Sequence, residues 1–398
     1  MKGFSTEKVL KGVLGSLMPG LCAFLGASVS MFILSCRPPT FQTDYTKFNP
    51  GEPALEAVAA PLWKKQITDH RFSPSRPEEL AGAEVSDDGR TVWIGGSDKV
   101  LWAFSTATGE PRWKKQFKAP ILGPPLYVSA RGFLFVGVGD GCMYCLESET
   151  GKKRWKYCTN GLIYRKPVYR HGVVYFTNAL NYLYAVDGET GKWRWSYERT
   201  LPEGFGIRGH AGAVIHGERI YTGFRDGYIV CLDVRTGDVI WTRNLQEDAK
   251  EYMDLDSTPF VHDGVVYVAS QAGGIYALTA DMGALKWRYP VLAPSGVVVS
   301  DDKLYFVSSR KGVHCLTMEG RLVWRQELDG GAAGTPLVYR DLLIFNTSEK
   351  GTYFVDKNTG GYVQRIDFGF GASGELAIHG DTLYLLDNFG TFHAMRLF

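Results

Sequence analysis

Hydrophobic and polar positions alternate along the chain in short runs, and one such pattern recurs seven times. The stretch Leu183–Trp195 reads LYAVDGETGKWRW, and Tyr228–Trp241 reads YIVCLDVRTGDVIW. Each copy is an apolar run that ends in a turn glycine, and four residues later comes a Trp in six copies and Gln364 in the seventh. Spacings of about 37 to 46 residues indicate stacked supersecondary units. The turn glycines are Gly109, Gly151, Gly191, Gly237, Gly283, Gly320 and Gly360.

A second pattern lies upstream of the first in each unit and predicts a β-hairpin. Examples are Pro167–Thr177 and Pro259–Ala269, where β-branched and aromatic runs flank a His-Gly or an Asp-Gly pair. Such runs, broken by a short turn that contains glycine, are typical of antiparallel strands. Each unit therefore holds four antiparallel strands. Radial repetition of four-stranded units makes a β-propeller, which leaves few open sheet edges.

The two ends of the repeat region predict how the ring closes. The last unit, Gly374–Phe398, stops after its third strand. Before the first unit, Leu62–Ile67 reads LWKKQI and matches Trp113–Phe117, which reads WKKQF in a fourth-strand position. Pairing this segment with the last three strands completes a blade and removes both free edges. We therefore predict an all-β fold, an eight-bladed β-propeller of four-stranded antiparallel blades, closed by an N-terminal strand that pairs with the C-terminal blade.

Two repeat positions predict how neighbouring blades pack. We expect each Trp to lie between adjacent sheets, where a large aromatic side chain buries much area. A small residue before each turn should lie where two sheets approach closely. The seventh copy departs at both positions, with Phe354 in place of the small residue and Gln364 in place of the Trp. The small residues are Ala103, Cys145, Ala185, Cys231, Ala277 and Cys315.

The N-terminal region has the features of a bacterial export signal. Three lysines precede an uncharged run, Gly12–Ser35, and Ile33–Cys36 reads ILSC, which resembles the processing site of bacterial lipoproteins. We predict lipidation of Cys36. Alternatively, the uncharged run is retained as a transmembrane anchor, since about 20 residues suffice to cross a bilayer. The predicted domains are a lipoprotein-type signal peptide at 1–35, a lipidated, proline-rich flexible tether at 36–61 and the propeller at 62–398.

Composition and charge leave the predicted fold unchanged and bear only on the kind of partner. The 398 residues include 44 Lys and Arg against 42 Asp and Glu, which gives a formal net charge of +2. Acidic and basic residues are interspersed along the chain, and no basic stripe is visible in the sequence. Nucleic-acid binding is therefore not expected.

The seven cysteines predict neither a metal site nor a redox pair. Cys142 and Cys145 have CxxC spacing, but residues three apart on one strand face opposite sides of the sheet. Cys145, Cys231 and Cys315 share one repeat position, which favours a packing role for a small apolar side chain. Cys158 has no role that the sequence explains. We predict no structural disulfide, although an oxidising compartment permits one.

Polar residues at the turns do not predict catalysis. The sequence has no motif of a serine hydrolase, a zinc protease or a phosphate-binding loop, so we expect no catalytic residue, metal or cofactor. Four histidines lie at the first hairpin turns of different units, where solvated side chains are more common than metal ligands. The Asp of the turn phrase is interpreted as a turn stabiliser that accepts hydrogen bonds from nearby N–H groups. These residues are His171, His216, His262 and His379, and Asp187, Asp233 and Asp356.

One constellation of polar and apolar residues lies where the fourth and fifth units begin. Phe205, Ile207 and Arg208 open the fourth unit, and Asp254 and Asp256 open the fifth. Alternate residues of an extended backbone share a face, so the two carboxylates should point the same way with the intervening leucine opposite. Equivalent points of adjacent blades lie on one rim, so the five side chains predict a surface patch. The alternative is an ion pair between neighbouring loops, and such exposed pairs contribute little to stability.

The repeat resembles that of pyrroloquinoline-quinone-type propellers, whose phrase Ala-x-Asp-x-x-Thr-Gly-x-x-x-Trp fits Ala185–Trp195. Within that superfamily the chain is similar to the BamB family of outer-membrane assembly lipoproteins. The likeness covers the whole chain after the signal. It is most specific at the Ile-Arg-Gly opening, Ile207–Gly209, and at the Asp-Leu-Asp-Ser-Thr-Pro opening, Asp254–Pro259.

The resemblance implies a function, a location and a partner. It implies a non-enzymatic scaffold, lipid-anchored on the periplasmic face of the outer membrane, that assists the insertion of β-barrel proteins and contacts nascent outer-membrane proteins. In the family, matching positions contact the periplasmic domains of BamA, the barrel-inserting subunit. By this resemblance Arg208, Asp254 and Asp256 make polar contacts with a BamA-like partner. Phe205 and Ile207 add apolar contacts to the same surface.

Two other interpretations stay open. A quinoprotein dehydrogenase has the same kind of repeat, but such enzymes hold an adjacent Cys-Cys pair beside the quinone, and this chain has no adjacent cysteines. An extracytoplasmic propeller that binds another protein or a small ligand is the other interpretation. The chain also departs from the BamB family at His210–Gly212, where the family has an acidic residue followed by Ser-Ala-Pro, so the neighbouring loop can differ in shape.

Overall fold

A computed structural model of the chain describes residues 57–70, 78–200, 210–245, 254–328 and 330–398. These residues form eight separate sheets, each of four antiparallel strands. The first strands of several neighbouring sheets contact one another, and those of the first and last sheets also meet. The sheets are therefore the blades of a closed ring, and the predicted all-β, eight-bladed propeller is confirmed.

The strands are numbered in chain order. They are β1 (Ala59–Gln66), β2 (Ala83–Val85), β3 (Thr91–Ile94), β4 (Val100–Ser105), β5 (Pro111–Gln116), β6 (Leu126–Val128), β7 (Phe133–Gly137), β8 (Cys142–Glu147), β9 (Lys153–Cys158), β10 (Val168–Arg170), β11 (Val173–Asn178), β12 (Tyr182–Asp187), β13 (Trp193–Glu198), β14 (Ala213–His216), β15 (Arg219–Gly223), β16 (Tyr228–Asp233), β17 (Val239–Asn244), β18 (Phe260–His262), β19 (Val265–Ser270), β20 (Gly274–Thr279), β21 (Leu285–Tyr289), β22 (Val298–Ser300), β23 (Lys303–Ser308), β24 (Gly312–Thr317), β25 (Leu322–Gln326), β26 (Leu337–Tyr339), β27 (Leu342–Thr347), β28 (Gly351–Asp356), β29 (Tyr362–Ile366), β30 (Ala377–His379), β31 (Thr382–Leu386) and β32 (Thr391–Leu397). Blades 1 to 7 each take four consecutive strands, from β2–β5 to β26–β29, and blade 8 contains β30, β31, β32 and β1. A single 3₁₀ turn, Ser129–Arg131, follows β6.

Blade 8 is closed by the first strand of the chain, as predicted. β1 pairs antiparallel with β32, with Ala59 opposite Leu397 and Trp63 opposite Ala394. The second of these pairs has the register of blades 1 to 6, in which a Trp lies opposite a small residue. β1 begins at Ala59, within the segment predicted as the tether.

Each repeat Trp packs against the turn of the following blade, which confirms the predicted position between sheets. The ring of Trp63 lies so close to Gly109 that a Cβ there would come within 2.7 Å of it, and this glycine has a left-handed φ of +68°. The indole N–H also donates to a carbonyl of the turn, as from Trp155 to Gly188 at 3.0 Å. The same contact joins Trp113 to Gly151, Trp155 to Gly191, Trp195 to Gly237, Trp241 to Gly283, Trp287 to Gly320 and Trp324 to Gly360.

The small residues before the turns are fully buried in the positions that the sequence predicts. Ala103 lies opposite Trp113 in the strand register, and Cys145 lies opposite Trp155. In blade 7 the exceptional residues occupy the same pair of positions, where the buried Phe354 lies opposite Gln364.

The polar turn residues stabilise local structure. Oδ1 of Asp187 accepts a hydrogen bond from the N–H of Thr190 at 2.8 Å, as predicted for the turn aspartates. The four turn histidines lie at the first hairpins of four different blades. One of them bridges two blades, because Nε2 of His171 lies 2.9 Å from Oε1 of Glu218.

Antiparallel strands give the ring two different rims. The connections between blades and the loops between second and third strands lie on one rim, which we name the connection rim. The first and third turns of each blade lie on the other, which we name the turn rim. The fourth strand of each blade lies at the outside, so β1, β5, β9, β13, β17, β21, β25 and β29 form the circumference.

The fold gathers basic residues on the outer strands of the ring, although they form no run along the sequence. The eight outer strands carry fourteen Lys and Arg residues and one acidic residue, Glu198. These residues are dispersed along the chain, but the repeat brings every fourth strand to the circumference. The basic residues are Lys64, Lys65, Arg112, Lys114, Lys115, Lys153, Arg154, Lys156, Arg194, Arg243, Lys286, Arg288, Arg325 and Arg365.

The prediction of no structural disulfide is also wrong. Cys142 and Cys158 form a disulfide in blade 2, with their Cα atoms 4.0 Å apart. The two residues lie directly opposite each other, one on β8 and the other on β9. CxxC spacing relates two residues of one strand, Cys142 and Cys145, whereas the disulfide joins residues of two neighbouring strands. The buried Cys145, Cys231 and Cys315 are free cysteines.

The predicted export features lie outside the described residues. These features are the signal peptide at 1–35, the lipidation site Cys36 and most of the tether at 36–61. In the part of the chain that the structure describes, no helix is both long and apolar enough to cross a membrane.

Candidate functional site

The candidate site lies on the connection rim, where blades 4 and 5 meet. Leu255 anchors it, since this side chain is fully buried and packs directly on Gly223 at the end of β15. The N–H of Leu255 also donates to the carbonyl of Phe224 at 3.3 Å. Ile121 packs on Gly95 in the same way between blades 1 and 2. This repeated contact of an apolar side chain with a glycine fixes the strand openings in the ring.

The two aspartates that flank Leu255 have different surroundings. Asp254 is only 2% exposed, and its Oδ1 lies 3.9 Å from Nε of Arg225 in the loop between β15 and β16. Asp256 is half-buried, and its Oδ2 accepts a hydrogen bond from Nε2 of Gln271 at 2.8 Å. The first carboxylate therefore contacts blade 4 and the second contacts blade 5, and Asp254 lies in the interior rather than on the surface.

Arg165 joins the backbones of the two openings. From the connection before β10, its Nε donates to the carbonyl of His210 at 2.7 Å, and its Nη2 donates to the carbonyl of Asp256. Its Nη1 also lies 3.8 Å from Oε1 of Glu375, next to blade 8. One guanidinium from blade 3 therefore links the openings of blades 4, 5 and 8 near the axis of the ring.

Burial controls the charge of two groups beside Arg165. His210 is 2% exposed, and its ring centroid lies 4.0 Å from that of Tyr164. Burial lowers the pKa of His210 well below its usual value, and the charge of Arg165 adds to this effect, so the imidazole is neutral. Burial raises the pKa of Asp256, although the nearby Arg165 opposes the shift.

A cavity of about 310 Å³ lies beside the first strands of blades 1, 7 and 8, and two of its charged lining residues, Glu84 and Lys166, pair with each other. Nζ of Lys166 donates to Oε2 of Glu84 at 2.5 Å, and Oε1 of Glu84 accepts from the N–H of Tyr127 at 3.0 Å. Leu337 and Ile378 supply apolar lining. Among the described residues, no group of three or more His, Cys, Asp or Glu is placed to hold a metal ion.

Three of the predicted site residues, Phe205, Ile207 and Arg208, lie outside the described residues. The structure brings the ends of the two openings, His210 and Asp256, together on one guanidinium. Among the residues that the structure describes, the carboxylate of Asp254 contacts Arg225 and that of Asp256 contacts Gln271. The two openings are contacted by Arg165, Arg225 and Gln271, and none of the three was predicted from the sequence as a site residue.

A signal for Arg165 was present in the repeat. It lies three residues before Val168, which pairs with Tyr175 of the next strand, and by the same register the equivalent residue of blade 4 is Ala211, three before Val214. Small residues occupy this position in most other blades. They are Gly123, Ser257, Ser295, Gly334 and Gly374. One large charged residue at a position that is otherwise small therefore marks a departure from pure packing, and only a structural alignment of the blades makes it visible.

The outer strands of blades 3 to 6 present a second candidate surface. Trp193, Val239, Leu285 and Leu322 each lie two residues after the turn glycine and are 44% to 56% exposed. These strands are the outer edges of their sheets, with backbone groups available for pairing. Contiguous exposed apolar side chains commonly mark interaction surfaces. We name these four residues the apolar sector.

The fold and the repeated contact of Trp with a turn glycine define the class. The protein is an eight-bladed propeller of the pyrroloquinoline-quinone repeat type. A family model described as outer membrane protein assembly factor BamB matches residues 103–319 and 272–397. The chain therefore belongs to the BamB family.

Individual relatives align with part of the chain. The outer membrane protein assembly factor BamB of Kangiella koreensis is 26% identical over 212 residues, which are 50% of this chain and 53% of the relative. That of Legionella pneumophila is 24% identical over 198 residues, which are 48% of this chain and 52% of the relative. The chain spans about half the length of these two relatives.

Solved structures support the same architecture. The crystal structure of BamB from Moraxella catarrhalis has a TM-score of 0.73 and 16% identity, and the match covers 85% of this chain and 100% of that one. A quinohemoprotein alcohol dehydrogenase from Pseudomonas putida HK5 has a TM-score of 0.65 and 13% identity, with coverage of 85% and 76%. At such identities the likeness shows the fold alone.

Proposed function

We propose that the protein is a non-enzymatic scaffold that assists the assembly of β-barrel proteins in the outer membrane by docking on a BamA-like subunit. The observation that carries this proposal is the match of residues 103–397 to a family of outer membrane assembly factors, on a chain whose ring is complete. A closed ring holds a docking rim still, and a rigid surface loses little entropy on binding.

The docking surface of the proposal is the connection rim of blades 4 and 5. The hydrogen bonds of Arg165 to His210 and Asp256 support it, because they hold the two openings beside each other. In the proposal Arg208 and Asp256 make polar contacts with the periplasmic domains of the partner, and Phe205 and Ile207 supply apolar area. The buried Asp254 acts through Arg225 and orders the rim.

Capture of the partner from solubilised envelopes tests this surface. Tagged protein should recover a BamA-like subunit, and Arg208→Ala or Asp256→Ala should reduce the recovery at least about tenfold, as expected for a central polar contact. Asp254→Asn keeps the side-chain volume and should reduce it less. The matched control is Arg235→Ala on the turn rim of blade 4, where Arg235 contacts Glu218 at 2.9 Å. Unchanged recovery with Arg208→Ala and Asp256→Ala would remove the patch from the proposal.

Anchoring on the periplasmic face of the outer membrane is a separate part of the proposal. Removal of 1–35 and lipidation of Cys36 would place the propeller there, and the ILSC sequence supports it. Mass spectrometry of the mature N-terminus distinguishes a lipidated Cys36 from a retained transmembrane segment. Cys36→Ser should abolish the lipid mass and the recovery of the protein in outer-membrane fractions.

The absence of enzymatic activity is also proposed, and it is set against the quinoprotein alternative. That alternative has one observation in its favour, the fold shared with a quinohemoprotein alcohol dehydrogenase. The paired charges Glu84 and Lys166 line the cavity near the axis, and the sequence contains no adjacent cysteines for a quinone site. Addition of the quinone and calcium should change neither the absorption spectrum nor the melting temperature. A clear shift would favour the enzyme.

Nascent outer-membrane proteins are proposed as a second class of partner. An extended client segment could add a strand to the outer edges of the apolar sector by β-augmentation. Val239→Ser with Leu322→Ser should then reduce the capture of unfolded β-barrel protein. Leu80→Ser with Leu292→Ser is the matched control, since these leucines are similarly exposed elsewhere. Recovery of an unrelated protein or a small ligand instead would favour the third interpretation.

A further inference from the structure

The basic residues of the circumference are concentrated on one side. The three neighbouring outer strands β1, β5 and β9 carry eight of the fourteen and no acidic residue. They belong to blades 8, 1 and 2, which follow one another around the ring. We name these eight residues the basic sector. They are Lys64, Lys65, Arg112, Lys114, Lys115, Lys153, Arg154 and Lys156.

The repeat aligns part of this sector into a row. Lys64, Lys114 and Lys156 each follow the repeat Trp of their blade directly, and all three are exposed. Because the blades have the same strand register around that Trp, the three lysines lie at the same height on the circumference. The row therefore presents three cations side by side across three blades.

Two residues of the sector form ion pairs with acidic residues of the neighbouring blade. Lys65 lies 2.9 Å from Glu110, and Arg154 lies 2.7 Å from Glu189 of blade 3. Other acids of blades 1 and 2 include Asp88, Glu147 and Glu149 at the turn rim, and Asp98 and Asp140 at the connection rim. Within the described part of the chain, no ion pair involves Lys114, Lys115, Lys153 or Lys156. The middle of the outer strands therefore keeps a positive surface.

We propose that the basic sector docks on a bilayer that contains anionic phospholipid, so that the propeller lies with blades 8, 1 and 2 against the membrane. Clustered Lys and Arg are attracted to anionic headgroups, and a basic patch adds to the membrane binding of a lipid anchor. Leu62 is 51% exposed and Pro111 is also exposed, and both lie among the cations, where they can enter the headgroup region. This orientation goes beyond the proposed function.

The position of β1 in the chain favours an orientation in which blades 8, 1 and 2 face the membrane. β1 belongs to the sector and begins at Ala59, 23 residues after Cys36. In this respect the inference rests on the proposed lipidation of Cys36, which would leave the chain to enter the propeller at the strand that carries Lys64 and Lys65. A lipid at Cys36 would keep β1 within reach of the bilayer, and the basic sector would then determine which side of the propeller faces it.

Nucleic acid is a less suitable ligand for this surface. Proteins that bind single strands stack bases on exposed aromatic rings between their cations. In the basic sector the rings of Trp63, Trp113 and Trp155 pack against the turn glycines of the next blade. They are not available for stacking, and the exposed apolar residues are Leu62 and Pro111 instead.

Vesicle flotation of residues 37–398 tests the inference without the lipid anchor. This chain lacks Cys36 and contains all eight blades and the apolar clusters described between Val58 and Leu397. It should float with phosphatidylcholine vesicles that contain about one third phosphatidylglycerol, and not with phosphatidylcholine alone. Binding should be strong at about 0.05 M salt and lost at about 0.5 M, because salt screens exposed charges.

Two triple variants with the same change in net charge locate the surface. Lys114→Gln with Lys153→Gln and Lys156→Gln should reduce the partition coefficient at least about tenfold. The control, with substitution to Gln of three exposed lysines of other blades, should change it less than about twofold. The control lysines are Lys192, Lys286 and Lys311.

Three outcomes would overturn the inference. They are no flotation on anionic vesicles at low salt, an equal loss in both triple variants, and preferential binding of RNA or DNA over vesicles at matched charge. None of these depends on capture of a BamA-like subunit. A protein that captures the subunit but does not float would overturn the membrane orientation and leave the proposed function standing.

Discussion

The side-chain amide of Gln364 in blade 7 holds the backbone of Ala59 in blade 8. Its Oε1 accepts the N–H of Ala59 at 3.0 Å, and its Nε2 donates to the carbonyl of Ala59 at 3.2 Å. Oε1 also accepts the N–H of Val58 at 3.0 Å. Every other blade presents a Trp to the turn between the third and fourth strands of the next blade. Blade 8 has no such turn, because its third and fourth strands are opposite ends of the propeller sequence, and Gln364 replaces the missing contact.

This relationship predicts that Gln364 stabilises ring closure. Gln364→Leu removes the acceptor of a buried N–H and should lower the free energy of unfolding by about 1 to 3 kcal/mol. Chemical denaturation monitored by Trp fluorescence measures the change. Gln326→Leu on β25 is the control, since Gln326 is a glutamine of another outer strand, is only half-buried and should have a smaller effect. Equal losses in the two variants would contradict the closing role.

The fold was predictable because its determinants are local and repeated. An alternating strand pattern, a turn glycine and a Trp four residues later specify each blade, and the match of Leu62–Ile67 to Trp113–Phe117 specifies the closure. The sequence shows that blade 7 departs from the repeat at Phe354 and Gln364. It does not show why, because the reason is a contact between Gln364 and a segment about 300 residues earlier in the chain.

The parts that sequence analysis missed depend on pairing across strands or blades. The partner of Cys142 follows from the register of β8 with β9, which a search for CxxC spacing along one strand does not consider. The link from Arg165 to His210 and Asp256 joins three blades. The basic sector exists only after every fourth strand is brought to the circumference. In each case the sequence contains the residues, but it does not show that the fold brings them close together.

The disulfide predicts a redox-dependent stability. Cys142 and Cys158 are 16 residues apart, and closing a loop of that size stabilises a fold by about 3 kcal/mol in the chain-entropy account. Cys142→Ser with Cys158→Ser should lower the midpoint of thermal unfolding. A thiol reductant should lower it in the parent protein to a similar extent and leave the double variant unchanged. A parent protein that is insensitive to reductant, with Cys142 and Cys158 as free thiols by mass in addition to Cys145, Cys231 and Cys315, would contradict the assignment.

The three-blade link predicts local protection of the candidate site. Arg165→Gln removes the charge-assisted hydrogen bonds to His210 and Asp256, each worth about 1.5 to 3 kcal/mol, and should speed amide hydrogen exchange in the segments around those residues. Arg170→Gln in the same blade is the control, because Arg170 is exposed and has only a 3.8 Å contact with Glu218. Faster exchange that spreads evenly over all blades would indicate general destabilisation instead.

Buried histidine predicts that stability falls in acid. His314 is 1% exposed, and burial lowers its pKa to about 4, whereas an unfolded chain titrates near the ordinary value. Its folded-state pKa is lowered, so below about pH 6.5 the unfolded chain binds a proton that the folded protein excludes until about pH 4. His314 should therefore remove about 3 kcal/mol of stability as the pH falls from about 6.5 to about 4, and nothing above that range.

Denaturation at about pH 7 and pH 5 measures this effect. His314→Gln should reduce the difference in unfolding free energy between the two pH values by about 2 kcal/mol, since the range down to pH 5 covers about 1.5 of the roughly 2.5 pH units over which the effect develops. His216→Gln, at an exposed hairpin turn, is the control and should leave the difference unchanged. The same pH dependence in all three proteins would exclude His314 as the cause.

Photo-crosslinking in cells tests directly whether the connection rim docks on a BamA-like subunit. A crosslinking amino acid at Ala272, next to Gln271 on that rim, should give a product that contains the BamA-like subunit. The same probe at Asp263, on the turn rim of the same blade, should not. Failure to find the subunit from Ala272, or an equal yield from Asp263, would contradict the proposed docking surface.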